Sequence, residues 1–501
     1  MTEKSRTEYS AGSKIAVLSG IIAIVTGYAV SIVLMHMLVG SYAGAGGSFT
    51  VIMYVSAVLV PTVCIPVTYA LYKRTAGHDT ETPISAPPQM ERGDKLSPLL
   101  DDTDSALLAL LKGALTEKTP ELPREFTVEE WDTILQRADR HAVLSVMYDT
   151  LMKQPLAPRQ LERVEKRSRK VVLQNYRLAF LTHQVTELLR KNGITAVVLK
   201  GVTAAANFPT PELRKSGDID ILLPHEQQLL QARDVLTEAG FAVSETQLAH
   251  HHLVMDYKDG IELELHTMLA EPFDNAKINN YLEGCLQYIP DRVQMRNVMG
   301  YEYPSLSDGY QAYELLLHML QHFLRAGFGL KLLCDWFFFW DRQVAEDEIA
   351  LYLRLVEESG LAGFSMMITS LCVSCLGLDG DCGLCRHIGD LMDDAEALGF
   401  MKDILEAEEF GKSGKDRMVT MRGSHLWDYV REFHHMMNLN FPRAGKIFLL
   451  WPVLWCVTLF RFLRNNRRIR GVTASEVIKK AGERSRRMEK LELFRTKSSR
   501  R

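Results

Sequence analysis

The stretch Gly217-Asp218-Ile219-Asp220-Ile221-Leu222-Leu223 constrains the fold of this 501-residue chain more than any other. Residues two apart in a strand share a face, so an extended Asp218–Leu223 carries both carboxylates on one side and Ile219 and Ile221 on the other. Such a strand needs a sheet and a layer of helices to bury its apolar side. Its acidic side needs something that tolerates two adjacent charges. Neighbouring carboxylates repel, and one is driven to take up a proton unless a cation intervenes. A divalent metal resolves that conflict, and Mg²⁺ favours carboxylates shared with substrate phosphates and water.

The flanking sequence predicts the rest of such a domain. Thr195–Leu199 is a short β-rich run; His252–Asp256 and Ile261–His266 are two more, joined by the turn Lys258-Asp259-Gly260. Helical segments are predicted over Val202–Asn207 and His225–Ala239. Ahead of this region, Thr103-Asp104 reads as the cap of a helix through Leu107, Leu108, Leu110 and Leu111. Thr127-Val128-Glu129-Glu130 reads as a capping box, and a long helix is expected from Pro158 to Asn192, ended by Asn192-Gly193. From Ser307 onward the pattern is helical again. The expected class is α+β: a helical part at 105–193, a small mixed sheet at 194–300 and a second helical part at 301–440.

Candidate chemistry gathers around the acidic strand. Lys200-Gly201 ends the first strand and leads into a helix, where glycine permits close backbone approach and free N–H groups can meet phosphate. Arg214 offers a forked phosphate contact. Glu262, Glu264 and His266 alternate on one face of the last hairpin strand, with parity alone leaving open which glutamate turns toward the acids. A third carboxylate on a neighbouring strand is what two-metal nucleotidyl transfer requires.

Leu199-Lys200-Gly201, Arg214, Gly217–Leu223 and Glu264-Leu265-His266 together resemble the uncharacterised bacterial nucleotidyltransferase family of the DNA polymerase β superfamily. His318 and His322 with Arg325, Gly327, Gly329 and Asp335 resemble that family's second block, and Leu449–Trp455, leading to Arg461-Phe462-Leu463, its C-terminal segment. The resemblance implies Asp218, Asp220 and Glu264 as catalytic metal ligands for Mg²⁺ or Mn²⁺, with an NTP as substrate. Lys200, Gly201 and Arg214 would bind its phosphates. His266, His318, His322 and Asp335 are secondary candidates. The Gly-Ser pair usual on the phosphate helix of the wider superfamily is absent, and Lys200-Gly201 stands in its place.

The N-terminal region raises a different expectation. No Asp, Glu, Lys or Arg occurs from Ile15 to Tyr72, and a small-residue turn at Gly40–Ser48 divides this stretch. Residues 15–39 and 51–71 each approach the roughly 20 apolar residues a spanning helix needs. A two-helix transmembrane hairpin is therefore predicted within residues 1–74, followed by a polar linker at 75–104. Lys4, Arg6 and Lys14 before it and Lys73 and Arg74 after it place both ends on the cytoplasmic side. That gives a multi-pass cell-membrane location with a cytoplasmic catalytic domain.

In the last segment, 441–501, Ile447–Phe460 reads as an interfacial helix ahead of a basic tail. The chain carries a net charge of −4, yet Arg461–Arg501 holds 15 Lys+Arg against 4 Asp+Glu. Such a block seeks phosphate, on lipid headgroups in preference to nucleic acid. Eight cysteines do not suggest a disulfide scaffold. Zinc at Cys372-x-x-Cys375 with Cys382-x-x-Cys385 is disfavoured, because only Leu376–Asp381 separates the pairs. His250-His251-His252 cannot converge on one ion from a strand. His318 and His322 share a helical face and are read as a core pair, while Asp335, among large apolar groups, needs a cation such as Arg325 or Lys331.

The expected function is Mg²⁺-dependent transfer of a nucleoside monophosphate to a hydroxyl-bearing acceptor at the membrane face, of the kind found in cell-surface polysaccharide metabolism. The alternatives are a toxin-like modifier of tRNA or protein and a non-catalytic, membrane-anchored nucleotide-binding scaffold.

Overall fold

Side-chain caps start the first two helices. In the computed structural model, which describes residues 100–249, 252–273, 275–325, 327–389, 391–407 and isolated positions between 434 and 493, Asp101 accepts a hydrogen bond from the Asp104 amide. It thereby caps α1 (Asp102–Thr116), two residues ahead of the cap expected at Thr103. Thr127 and Glu130 close the expected capping box of α2 (Val128–Arg140), whose Trp131, Ile134, Leu135 and Ala138 are buried. Helix α3 (Pro158–Lys191) opens on a proline, whose fixed φ suits the first turn, and closes at Asn192; a single-turn helix, α4 (Val202–Ala205), comes later.

Seven strands form one sheet: β1 (Val197–Val198), β2 (Ile219–Leu222), β3 (Ala242–Ala249), β4 (His252–Tyr257), β5 (Ile261–His266), β6 (Val293–Val298) and β7 (Tyr301–Leu306). Their order is β3-β4-β5-β2-β1-β7-β6. β2 runs antiparallel to β1 and parallel to β5, and β1 runs parallel to β7. The alternation of β2 divides the two faces of the sheet. Ile219, Ile221 and Leu223 join Leu263 and Leu265 in a core with Leu178, Leu181, Val185 and Leu189 of α3 and Leu236 of α5 (Leu229–Glu238). Leu222 belongs to the other core with Val197, Leu199, Leu306 and the later helices, so Asp220, of the same parity, points that way. Each large side chain buried on either face contributes about 1.5–3 kcal/mol.

β3, β6 and β7 extend the sheet beyond the strands read from the sequence. β7 carries Pro304, which argues against a strand when read alone. β1 pairs with β7 only at Val198–Ser305, so Pro304 lies outside that short ladder.

The helices over this face are α6 (Ala276–Leu286), α7 (Asp308–Arg325), α8 (Leu330–Asp341), α9 (Glu346–Ser359), α10 (Ala362–Leu371) and α11 (Asp394–Ala407). The start of α7 is tightly fixed. Ser307 Oγ and the Gly309 amide donate to Glu348 Oε2 of α9 at 2.8 and 2.7 Å. A Cβ at position 309 would come within 2.7 Å of the Glu348 carbonyl oxygen, so only glycine fits there. Asp308 binds Arg342 through both terminal nitrogens, at 2.9 and 2.7 Å, and also Arg296 of β6. Trp336, Phe337, Phe339 and Trp340 of α8 are fully buried, with Trp336 and Trp340 edge-on to each other.

The expected transmembrane hairpin is corrected. Its spans, 15–39 and 51–71, lie outside the described residues, and no helix among the described residues is long and apolar enough to cross a membrane. The longest described helix, α3, exposes a row of Arg and Lys side chains, and the highly apolar α8 covers 12 residues, against the roughly 20 a bilayer demands. The fold class is thus α+β on the seven-stranded sheet. Among the described residues, the hairpin and the multi-pass location drawn from it have no helix to rest on. Nearly all of 447–460 and the basic tail also lie outside the described residues.

Two outcomes follow for the start of α7. Glu348→Ala leaves buried donors unmet and should lower unfolding free energy by about 1–3 kcal/mol in urea titrations with an unchanged slope. Burial opposes the charge of Asp308, but the hydrogen bonds and charge of Arg342, aided by Arg296, hold its carboxyl below the ordinary 3.8. Its contribution to stability is therefore complete at neutral pH and is lost as pH falls through the lowered folded value. Denaturation midpoints of Asp308→Asn should lie below wild type at pH 7 and converge with it in strong acid.

Candidate active site

The register of β2 on β5 pairs Asp220 with Glu264 and Leu222 with His266. Parallel pairing therefore sets the acid of one strand beside the acid of the next, with the histidine two residues on. Glu262 has no partner on β2; it faces Asp256 of β4 and is exposed, so the register selects Glu264. His266 Nε2 lies 2.9 Å from Asp220 Oδ1 and 3.3 Å from Glu264 Oε2. Lys200 Nζ approaches the same Asp220 oxygen at 3.1 Å. Asp220 is fully buried, and its Oδ2 has no hydrogen-bond partner.

Electrostatics divides the two aspartates. Burial works against ionisation of Asp220, but the charge of Lys200 and the hydrogen bond and charge of His266 outweigh it and hold the carboxyl well below its usual range. Asp218, just ahead of β2, shifts upward, chiefly through repulsion by Asp220 and then through burial, with Lys200 and Lys331 opposing. Burial disfavours the His266 cation, yet its bonds to Asp220 and Glu264 prevail and push it up to about 9. The imidazolium Nε2–H then donates to Asp220 at neutral pH, with the Glu264 carboxylate at ion-pair distance. Lys200 is likewise held charged, against burial, by Asp220, Asp218, Glu314 and Glu264. Charges of both signs interlock here.

Gly201 and Arg214 build the loop beside this cluster. Gly201 has φ +70°, the left-handed region where a side chain is strained, and its carbonyl accepts from Arg214 Nη1 at 3.3 Å. The helix that follows, Val202–Ala205, is a single turn, too short for the phosphate-binding N-terminus expected there. Arg214 departs from expectation too. Its Nε and Nη2 donate to Asp335 Oδ1 and Oδ2 at 2.6 and 2.8 Å, and its Nη1 also donates to Ser216 Oγ. With all three nitrogens engaged and 4% of the residue exposed, the guanidinium secures the loop rather than facing solvent. Asp335 thus finds a cation on the β1–β2 connection; the side chain of Arg325, one of the two cations expected for it, lies outside the described residues. The pair joins that connection to α8.

One residue was missed by sequence reading. Glu314 of α7 is 3% exposed, its Oε2 has no hydrogen-bond partner, and Lys200, Asp220, His266 and Asp335 all act on it electrostatically. Burial, opposed by Lys200, pushes its carboxyl up to about 7. The missed signal was a lone acid in the apolar run Tyr313–Leu317, one turn before His318. His318 stacks on His322 with ring centroids 4.6 Å apart. Burial, reinforced by Lys200 and His322, keeps His318 well below its ordinary value and hence neutral.

Other candidates stand apart from this cluster. His250 and His251 lie outside the described residues, and of His252 only its place in β4 is described. Cys372, Cys375, Cys382 and Cys385 are buried in the helical core, where Cys372 Sγ contacts the Leu333 carbonyl oxygen at 3.7 Å and the Cys382 and Cys385 sulfurs are 2.9 Å apart.

Acids from two parallel strands, a lysine at the end of a third and an open carboxylate oxygen gather at one place on a mixed sheet. A family model described as an uncharacterised nucleotidyltransferase matches residues 127–377, half of the chain, including every residue of this cluster. The chain belongs to that family, and it is a transferase of nucleotidyl groups by membership. No curated protein and no solved structure gives a significant match.

Breaking one side of the Arg214–Asp335 pair strands a buried charge. Arg214→Met and Asp335→Asn should each cost about 3–5 kcal/mol, and the double variant clearly less than their sum. Chemical denaturation of the four proteins of the cycle checks this; simple additivity would remove the pair from its place in the account.

Proposed function

We propose that this protein transfers a nucleoside monophosphate from an NTP to a hydroxyl-bearing acceptor, with Mg²⁺ or Mn²⁺ held by Asp220 and Glu264, and by Asp218 at the mouth of the same strand. The carrying observation is the fully buried Asp220 Oδ2 without a partner, beside ligand atoms of Glu264 and His266 that, with one from Asp220, lie within 4.8 Å of one another. A buried carboxylate oxygen left unmet costs free energy that a cation would recover. The carboxylate oxygens of Asp220, Glu264 and Asp218 are donors that suit Mg²⁺ or Mn²⁺.

A divalent ion bound there would polarise the α-phosphate and acidify the attacking hydroxyl. The acceptor oxygen bonds to the α-phosphorus, the bond from that phosphorus to the α–β bridging oxygen breaks, and pyrophosphate leaves. The hydroxyl proton passes to a carboxylate of the cluster. Lys200 supplies positive charge against the phosphates, and His266 fixes the spacing of Asp220 and Glu264. Arg214 acts one step back, by holding the Gly201 loop. Asp335 shares that structural role.

A thermal-shift screen of the full chain with ATP, GTP, CTP and UTP, each with and without Mg²⁺, tests this reading. It predicts a metal-dependent rise with at least one nucleotide, lost in Asp218→Asn/Asp220→Asn, and pyrophosphate release slowed roughly 10²–10⁴-fold by Asp220→Asn alone. A folded protein that no nucleotide shifts would favour a non-catalytic scaffold instead.

A further inference from the structure

Cys382 and Cys385 bracket Gly383-Leu384 in the loop that leads from α10 toward α11, and their sulfurs are 2.9 Å apart. That is closer than two sulfurs packed as apolar neighbours, and a short step from the roughly 2.05 Å of a disulfide bond. The loop holds them there. Asp379 Oδ1 accepts from the Asp381 amide at 2.9 Å, and the Asp379 carbonyl accepts from the Cys382 amide at 3.0 Å. A Cβ at position 383 would come within 2.9 Å of Ile349 Cδ1, so the turn lies close against α9. His387 Nε2, just beyond the pair, lies 3.1 Å from Glu346 Oε2 at the start of α9.

The two thiols are not equivalent. Cys382 Sγ accepts from the Cys385 thiol and, at 3.4 Å, from the Cys385 amide. The bond from the Cys385 thiol, helped by backbone amides and opposed by burial, holds Cys382 below the ordinary thiol value. The same bond, together with burial, pushes Cys385 up. Position also separates the pair from other cysteines. Cys334 and Cys372 are 0% exposed, whereas Cys382 and Cys385 keep 9% and 8% beside exposed Asp381, Arg386 and His387. Among the described residues, Cys372, Cys375, Cys382 and Cys385 do not come close enough together to share an ion, so the pair is not half of a zinc site. Both cysteines lie beyond residues 127–377, the part of the chain that the family model matches.

We propose that Cys382 and Cys385 form a reversible dithiol–disulfide site that exchanges electrons with low-molecular-weight disulfides. Cys382, as its thiolate, attacks one sulfur of the incoming disulfide. A mixed disulfide forms on Cys382, and the first leaving thiolate takes up the proton that Cys382 released. Cys385 then attacks Cys382 Sγ, the mixed bond breaks, and the second thiol leaves with the Cys385 proton. Two electrons pass to the incoming disulfide, which becomes two thiols, while Cys382 and Cys385 become one disulfide. A reducing dithiol reverses both steps.

Equilibration of the full-length protein with mixtures of oxidised and reduced glutathione tests this, read by acid quench, alkylation, digestion and mass spectrometry. In wild type the peptide spanning 382–385 should lose two hydrogens and gain no glutathione, while Cys372 and Cys375 are alkylated. The equilibrium constant for closing this pair should exceed that of the urea-unfolded protein about 10-fold or more, because the fold already brings the sulfurs together. Cys385→Ala should trap glutathione on Cys382. In Cys382→Ala, glutathione should reach Cys385 at least about 10-fold more slowly than it reaches Cys382 in Cys385→Ala. A pair that stays reduced in folded wild type under excess oxidised glutathione overturns the proposal. So does a native constant no larger than the unfolded one, faster capture of glutathione by Cys385 than by Cys382, or preferential oxidation of Cys372 with Cys375. If circular dichroism shows that either variant fails to fold, the two wild-type measurements still decide the outcome.

Discussion

Everything at the centre depends on one fully buried carboxylate. Asp220 is ionised inside the protein because Lys200 and His266 stand against its Oδ1. An isolated charge there would cost several kcal/mol after relaxation, so its partners are as necessary as the acid itself. The sheet supplies those partners by topology. β1 ends at Lys200, β5 brings Glu264 and His266 into register, and β2 lies between them. The apolar parity of β2 is buried against α3, which prevents the strand from slipping by one residue and turning Asp220 away from its partners.

The helical layer does more than cover this face. Arg214 and Asp335 tie the β1–β2 connection to α8 through two buried hydrogen bonds, and Arg214 also grips Gly201 next to Lys200. α7 places Glu314 within the field of the cluster, and its own first turn is fixed by Glu348 and by the Asp308 ion pairs. Positioning at the site therefore runs back to contacts on α8 and α9, helices that contribute no group to the cluster.

Local patterns that a single stretch of chain decides were legible in the sequence. The Thr127–Glu130 capping box, the Asn192-Gly193 stop, the alternation of β2 and the β4–β5 hairpin all declare themselves within a few residues. Long-range facts were not. β7 carries Pro304, which disfavours a strand, and nothing local reveals its pairing with β1. Arg214 looked like a phosphate ligand because a forked guanidinium suits phosphate, but it suits the Asp335 carboxylate equally well, and only the tertiary fold selects between them. The choice between Glu262 and Glu264 required the β2–β5 register. Glu314 was hidden because an acid in an apolar helix shows that a partner exists, not which one. The N-terminal hairpin was inferred from charge exclusion alone, and among the described residues no helix supports a membrane span.

The central claim is that Asp220 and Glu264 together hold a divalent cation. Anomalous diffraction from crystals of the protein soaked in Mn²⁺ tests it most directly. A manganese peak within about 2–2.5 Å of carboxylate oxygens from both residues is the expected result. A fully occupied peak elsewhere, or none in crystals where Lys200 still sits on Asp220, would contradict it.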